Sequence, residues 1–246
     1  METLTLTEGT GAAAVPKVKR KGKILKYMLY GLLTLVAVLL IAHVAWNRSG
    51  SNQWELASDE NGVKVWTLKT PGSNLVMVKA TTTIQSRLAG MVKLLEDLES
   101  CVDAQCYDAK VIEPVQSVPG RYAAYIRFKF DVPGFNTQDF VLFQEHYQDP
   151  VSRKLEINLL AAPNRIARDE CCVRVRHLHN NWKLTPRPDG RLDIEFTQDT
   201  DMEGLPYFLV NFALKAGTQE IMGGMQKLMD MDKYRHAKVD GIQELN

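Results

Sequence analysis

Residues 27–47 carry no formal charge apart from any proton on His43, and residues 28–45 read MLYGLLTLVAVLLIAHVA without a polar stripe. About 20 apolar residues at 1.5 Å per residue cross a hydrocarbon core of ~30 Å, so the pattern predicts a membrane-spanning helix over 24–46, bounded by Ile24 and Trp46. Tyr27, Tyr30 and Trp46 fall near its two ends, where amphipathic rings favour the interface. The apolar run exceeds the ~7–15 residues of a signal-peptide core. Ala42-His43-Val44-Ala45-Trp46 also lacks a clean small-x-small cleavage site, so the expectation is an uncleaved signal anchor.

Beyond a short polar linker at 47–53, the periods are those of strands and then of a helix. Val63–Lys69 and residues 75–84 are separated by Thr70-Pro71-Gly72-Ser73, turn chemistry that predicts a hairpin. Ser86 is placed to cap a helix whose apolar residues Leu88, Met91, Val92, Leu95 and Leu98 form one face. Tyr122, Ala124, Ile126, Phe128 and Phe130 alternate with Arg127, Lys129 and Asp131, a half-buried strand ended by Pro133-Gly134. Residues 140–147 and Leu155–Ala161 flank a turn at Asp149-Pro150. Residues 171–184 are long enough for a strand that bends, and Leu192, Ile194 and Phe196 alternate with Asp193, Glu195 and Thr197. From Pro206 onward Val210, Leu214, Gly217, Ile221, Met225 and Leu228 repeat at helical spacing. Antiparallel strands closed by an amphipathic helix make an α+β fold, read as one domain over 54–238.

Charge orients this chain. The 246 residues carry 30 Lys+Arg and 29 Asp+Glu, a net of +1, which argues against a nucleic-acid binder. Residues 1–26, however, hold six bases and two acids, a net of +4, so the remainder carries −3. The bases precede the apolar run, and only Arg48 follows it closely. The positive-inside rule then places a basic tail over 1–23 in the cytoplasm and the large domain on the far side of a single-pass inner membrane, the periplasm in a bacterial cell.

Hydrophobic content of 45% and charged content of 24% exclude global disorder. Four cysteines are too few for a disulfide-built scaffold. Cys101 and Cys106 could bridge if the helix end between them turns back. Cys171 and Cys172, being adjacent, are expected on opposite faces of a strand as two small buried or half-buried residues. Arg174 and Arg176 read as exposed sheet arginines. His177, His179 and Cys171 share a face, but no further ligand pair has zinc spacing, so no metal site is expected. No G-x-S-x-G, P-loop or dinucleotide fingerprint appears, and neither a catalytic set nor a cofactor is expected.

Several motifs together resemble a family. Trp182-Lys183-Leu184-x-Pro186, then Gly190, then Gly204-Leu205-Pro206-Tyr207-Phe208-Leu209-Val210-Asn211 resemble the end of a START (steroidogenic acute regulatory-related lipid transfer) domain. Gly62-Val63-Lys64-Val65-Trp66 looks like its opening strand, and Leu95-Glu96-Asp97-Leu98 like the end of its first helix. Gln138-Asp139-Phe140-Val141 resembles its R-D-F-V strand, and Val173-Arg174-Val175-Arg176 its V-R-V strand. Gln138 stands where the family usually has Arg, which puts a structural ion pair there in doubt.

The resemblance implies a helix-grip fold, a curved antiparallel sheet around a long C-terminal helix, preceded here by one transmembrane helix. It implies a tunnel that holds one lipid or sterol without a cofactor. The residues expected to line it are Phe128, Phe140, Leu142, Gln144, Ile166, Val173, Val175, Phe196, Val210, Leu214, Ile221 and Met225. Residues 161–168 would be an omega loop with Ile166 at its tip. The face of Leu209, Val210, Phe212, Ala213, Leu214, Ile221 and Met225 would be a lid. Gly217, Gly223 and Gly224 either loosen that helix or let it pack closely. Asn211 is expected to satisfy backbone groups near the helix start, and His146 to lie near the tunnel rim. The expected function is membrane-tethered lipid binding or transfer. The alternatives are a cyclase- or hydrolase-like helix-grip enzyme, and an interaction module with a vestigial cavity. The sequence sets no oligomeric state.

Overall fold

The structure, a computed structural model, describes residues 21–245, so the expected basic tail lies largely outside the described residues. The described residues divide into two units, the first ending at Trp46 and the second beginning at Asn47. The first is formed by α1 (Lys21–Arg48), within which Lys23–Arg48 is long and apolar enough to cross a membrane. Its leucines, isoleucines and valines are exposed on every side, as at Leu25, Leu33 and Ile41. The hydroxyl of Thr34 donates to the Tyr30 carbonyl one turn back, which satisfies it within the helix.

The second unit is built on one ten-stranded sheet. In chain order come β1 (Trp54–Glu60), β2 (Val63–Lys69), β3 (Val76–Gln85), α2 (Leu88–Glu96), a 3-10 turn (Leu98–Ala104), β4 (Cys106–Val118), β5 (Arg121–Phe130), β6 (Gln138–Gln148), β7 (Leu155–Ala161), β8 (Val173–Arg174), β9 (His177–Pro186), β10 (Arg191–Asp201), α3 (Tyr207–Met229) and a short α4 (Asp232–Arg235). The sheet order is β1-β2-β3-β10-β9-β7-β6-β5-β4, each neighbour antiparallel, with β8 paired in parallel to β6. The hairpin, the β5 to β7 meander, β10 and the closing helix fall where the sequence periods put them. Residues 171–184 break into a turn at the two cysteines, β8 and β9.

β1 and β4 had no clear alternation in sequence, and both are edge strands. β4 carries Pro114 and three register shifts against β5, features that edge strands tolerate and that blur a period of two.

Residues 47–53, expected as a linker, are stitched to the β2–β3 turn. Asn47 and Gly72 pair through backbone and side chain, and Asn52 N–H donates to the Lys69 carbonyl at 3.1 Å. Gly50 lies at φ +116°, and a Cβ there would overlap the Lys69 carbonyl.

The cap of α2 is not Ser86, whose hydroxyl turns to the Arg87 carbonyl. Glu244, near the chain's end, accepts from the Leu88 and Ala89 N–H groups at 2.9 and 3.0 Å. A carboxylate at a helix N-terminus meets both the unpaired N–H groups and the positive end of the helix dipole.

Candidate functional site: the inner face of the sheet

Alternation gives the strands an inner side, part of which packs against α2 and α3. These inner side chains form two apolar clusters. The first joins Val65, Val78, Ile157, Trp182, Leu184, Ile194 and Phe196 of the sheet to Leu88 and Met91 of α2 and Val210, Leu214, Met222, Met225 and Met229 of α3. The second, toward the other end of the strands, holds Ala124, Ile126, Phe140, Leu142, Val175 and Leu178. Tyr122, Phe128, Phe130 and Leu159 pack against it while only half-buried.

Between the clusters a polar row crosses the sheet. Gln144 pairs with Leu159, Leu159 with Asn180, Asn180 with Gln198, and Gln198 with Val78. Thr200 donates to the Asn180 side chain at 3.3 Å, and Gln198 reaches Thr218 and the Leu214 carbonyl on α3. Gln144 is 1% exposed, and its Nε2 donates to the Leu95 carbonyl at 3.2 Å. Its Oε1 is buried with no hydrogen-bond partner. His146, next along that face, is also buried; its Nδ1 contacts Glu96 and its ring stacks on Tyr122 at 5.8 Å.

The twelve residues expected to line a tunnel therefore divide. Phe140, Leu142 and Val175 belong to the second cluster, and Phe128 stacks on Phe140 with ring centroids 4.8 Å apart. Phe196, Val210, Leu214 and Met225 belong to the first. Gln144 lies in the polar row between them. Ile166 and Val173 are half-buried in the segment over the sheet's end. Ile221 is 50% exposed on α3. Surface depressions of about 820 and 220 Å³ are lined by polar groups such as Lys64, Thr83 and Asp193, and Arg121, Glu145 and Glu156; none of the twelve lines either. Sequence reasoning missed Asn180, Gln198 and Thr200. Continuing the period of two from Trp182 and Phe196 along β9 and β10 would have put them on the inner face.

Arg174 corrects another expectation. It is buried, whereas Arg176 is exposed as expected. Asp139 accepts from Arg174 Nε at 2.9 Å and Arg127 Nε at 2.8 Å. The ion pair here is made by Asp139, beside Gln138, with Arg174 and Arg127 as its bases. Gln138 itself is fully buried, donating to the Asn136 carbonyl at 3.1 Å. The rest of the Arg174 guanidinium donates to the carbonyls of Pro163, Ile166 and Ala167 at 2.7, 3.3 and 3.0 Å, so one side chain pins the loop to the sheet.

Asp169 extends the network. Hydrogen bonds from Lys129, Arg127 and the Cys171 N–H hold its carboxyl at about 2. Cys171 and Cys172 are bridged to each other in the turn beside it, not spread over a strand as two small residues. Asp169 lies close to both sulfurs, but these are bonded to one another and offer no thiolate to a metal. Cys101 and Cys106 are also bridged, tying the 3-10 turn to the start of β4. Asn211 satisfies backbone groups as expected, those of the β2–β3 turn: it accepts from Val76 N–H at 3.0 Å and donates to the Asn74 carbonyl at 2.9 Å.

No family model matches the sequence. The chain is 27% identical over 178 residues to an uncharacterized protein of Pseudomonas aeruginosa, covering 70% of this chain and 85% of that one. A STAR-related lipid transfer protein fragment from Xanthomonas axonopodis superposes with a TM-score of 0.60 at 18% identity, over 71% of this chain and 98% of that one. Human StAR-related lipid transfer protein 5 gives 0.62 at 15% identity, over 82% and 97%. The globular unit therefore has the START fold, a curved antiparallel sheet closed by a C-terminal helix.

Proposed function

We propose that this protein is a membrane-tethered lipid-binding protein whose inner sheet face, between α3 and the 161–168 loop, holds one hydrophobic ligand. The observation that carries this reading is the second apolar cluster, along which Tyr122, Phe128 and Phe130 stay half-buried, with the unpaired Gln144 Oε1 on the strand position opposite its Ala124. Burial of apolar ligand area against these rings contributes about 25 cal/mol per Å². A buried acceptor without a partner costs about 1–3 kcal/mol, and a ligand hydroxyl would relieve that cost. Apolar walls with one or two placed polar groups are the usual make-up of small-molecule sites. The superposed structures from Xanthomonas axonopodis and human are titled as lipid transfer proteins, which supports the same class here.

In this reading the ligand enters by movement of α3 or of the 161–168 loop, which Arg174 pins to the sheet. Gly217, Gly223 and Gly224 favour α3. A Cβ at any of them would meet nothing within 4 Å, so close packing does not require glycine there. Each lowers helix stability by about 1 kcal/mol relative to Ala. In this reading α1 crosses the cell membrane with its N-terminus in the cytoplasm, which keeps the site near a bilayer and raises the effective ligand concentration. A reporter enzyme fused after Asn246 tests the orientation, with activity expected on the far side and cytoplasmic activity overturning it. Binding itself is tested by extracting lipid from the purified globular unit.

A further inference from the structure

The first turns of α3 carry an apolar surface that the sheet does not use. Val210, Leu214 and Thr218 face the interior, whereas Phe208 and Phe212, one turn apart, are 60% and 72% exposed. They are the most exposed aromatic side chains of the globular unit. Gln219 lies on the same helical face two turns beyond Phe212 and bonds to Ser58 and the Glu60 carbonyl. This flank therefore looks toward the β1 edge, not over the second apolar cluster. From Leu205 to Gln219 there is no acidic residue, and the sole formal charge is the exposed Lys215.

Chain connectivity fixes where the apolar run joins this unit. Asn47 directly follows Trp46, so its Cα lies about 3.8 Å from the last residue of the apolar run. Its backbone carbonyl accepts from Gly72 N–H at 2.7 Å, and its side chain donates to Gly72 O and Asn74 Oδ1 at 3.1 and 3.2 Å. The Asn74 carbonyl in turn accepts from Asn211, the residue before Phe212. Two hydrogen bonds through Asn74 thus couple Asn47 to the start of α3. The headgroup layer is itself only about 5–8 Å deep on each side, the difference between total and hydrocarbon thickness.

We propose that Phe208 and Phe212 insert into the surface of the bilayer that α1 crosses, so that Asn47, Asn74 and Asn211 hold the start of α3 at the membrane. This rests on the reading of α1 as a membrane span. An aromatic pair on a helical stretch whose sole formal charge is basic suits an interface that is apolar below and often anionic above.

The test uses the full chain in vesicles of phosphatidylcholine and phosphatidylglycerol. Native cysteines are paired in two bridges, leaving an introduced thiol free to take a spin label. Labels at Phe208→Cys and Phe212→Cys are expected to lose most collisions with a water-soluble nickel chelate and to gain collisions with oxygen. A label at Val151→Cys, in an 86% exposed turn position, is expected to keep full nickel access. Nickel access at 208 and 212 equal to that at 151, in protein that floats with the vesicles, would overturn the proposal. So would protection that persists without lipid and rises with protein concentration, the mark of a second copy on this face. In Phe208→Ser/Phe212→Ser, a label at Lys215→Cys is expected to gain nickel access while circular dichroism and flotation stay unchanged. Unchanged access there would also count against insertion. Failure of the full chain to float would overturn the span reading and this proposal with it, but would leave lipid binding by the globular unit to be measured separately.

Discussion

Arg174 and Asp139 form an ion pair in which each side chain is 1% exposed, with Nε to Oδ2 at 2.9 Å. The same guanidinium holds three carbonyls of the 161–168 loop, so the pair links the sheet to a gate of the proposed site. Removing one partner of a buried pair strands the other's charge, at a cost of about 3–5 kcal/mol. Arg174→Met is therefore expected to lower unfolding free energy by that amount in urea titrations. Limited proteolysis should then cut within 161–172 before the rest of the unit. Loss of stability with an intact, protected loop would show that the pair supports the sheet alone.

Asp169 gives the network a pH dependence with a definite sign. Its carboxyl, ordinarily at 3.8, is lowered to about 2 mainly by the Lys129 hydrogen bond, then by Arg127 and the Cys171 N–H. A depressed folded-state pKa contributes stability above the unfolded value and loses it as pH falls through the folded value. Asp169 should therefore stabilise fully above about 3.8 and lose its contribution on acidification to about 2. Thermal melts of Asp169→Asn are expected to show a shallower fall across that window than the parent. An equal slope in both proteins would remove Asp169 from the acid response.

The glycines of α3 separate two explanations. Gly217 and Gly223 have open space where a Cβ would sit and no positive φ, so Ala should fit at either. Gly217→Ala and Gly223→Ala are each expected to raise stability by about 0.5–1 kcal/mol. If α3 opens to admit ligand, the same changes should slow uptake from labelled vesicles. Destabilisation would mean that the helix needs its glycines for packing. Faster uptake would contradict a lid.

What the sequence disclosed follows from the range of each interaction. Val63–Lys69 with its Gly72 turn, the alternation around Ile126, and the helical repeat from Val210 are local periods, and all three stand where they were read. β4 escaped because Pro114 and three register shifts at an edge erase the alternation. The Glu244 cap on α2 escaped because donor and acceptor are 155 and 156 residues apart. Arg174 looked like a surface arginine because Asp139, 35 residues earlier, and the loop carbonyls reach it only through the fold. The polar row is the instructive case: Asn180 and Gln198 sit in phase with Trp182 and Phe196, so their inward direction was readable, but their alignment with Gln144 needed the strand order.

Lipid binding by the inner face is open to native mass spectrometry of the globular unit, Asn47–Asn246, purified without detergent from cells that make it. The expected result is a co-purifying hydrophobic species that organic extraction identifies as a lipid, with hydroxyl-bearing ligands favoured. In Gln144→Leu, affinity for a hydroxylated ligand should fall by roughly 1–2 kcal/mol, about 5- to 30-fold, as the hydrogen bond is lost. A folded unit that carries no lipid from cells and takes none from labelled vesicles would contradict it.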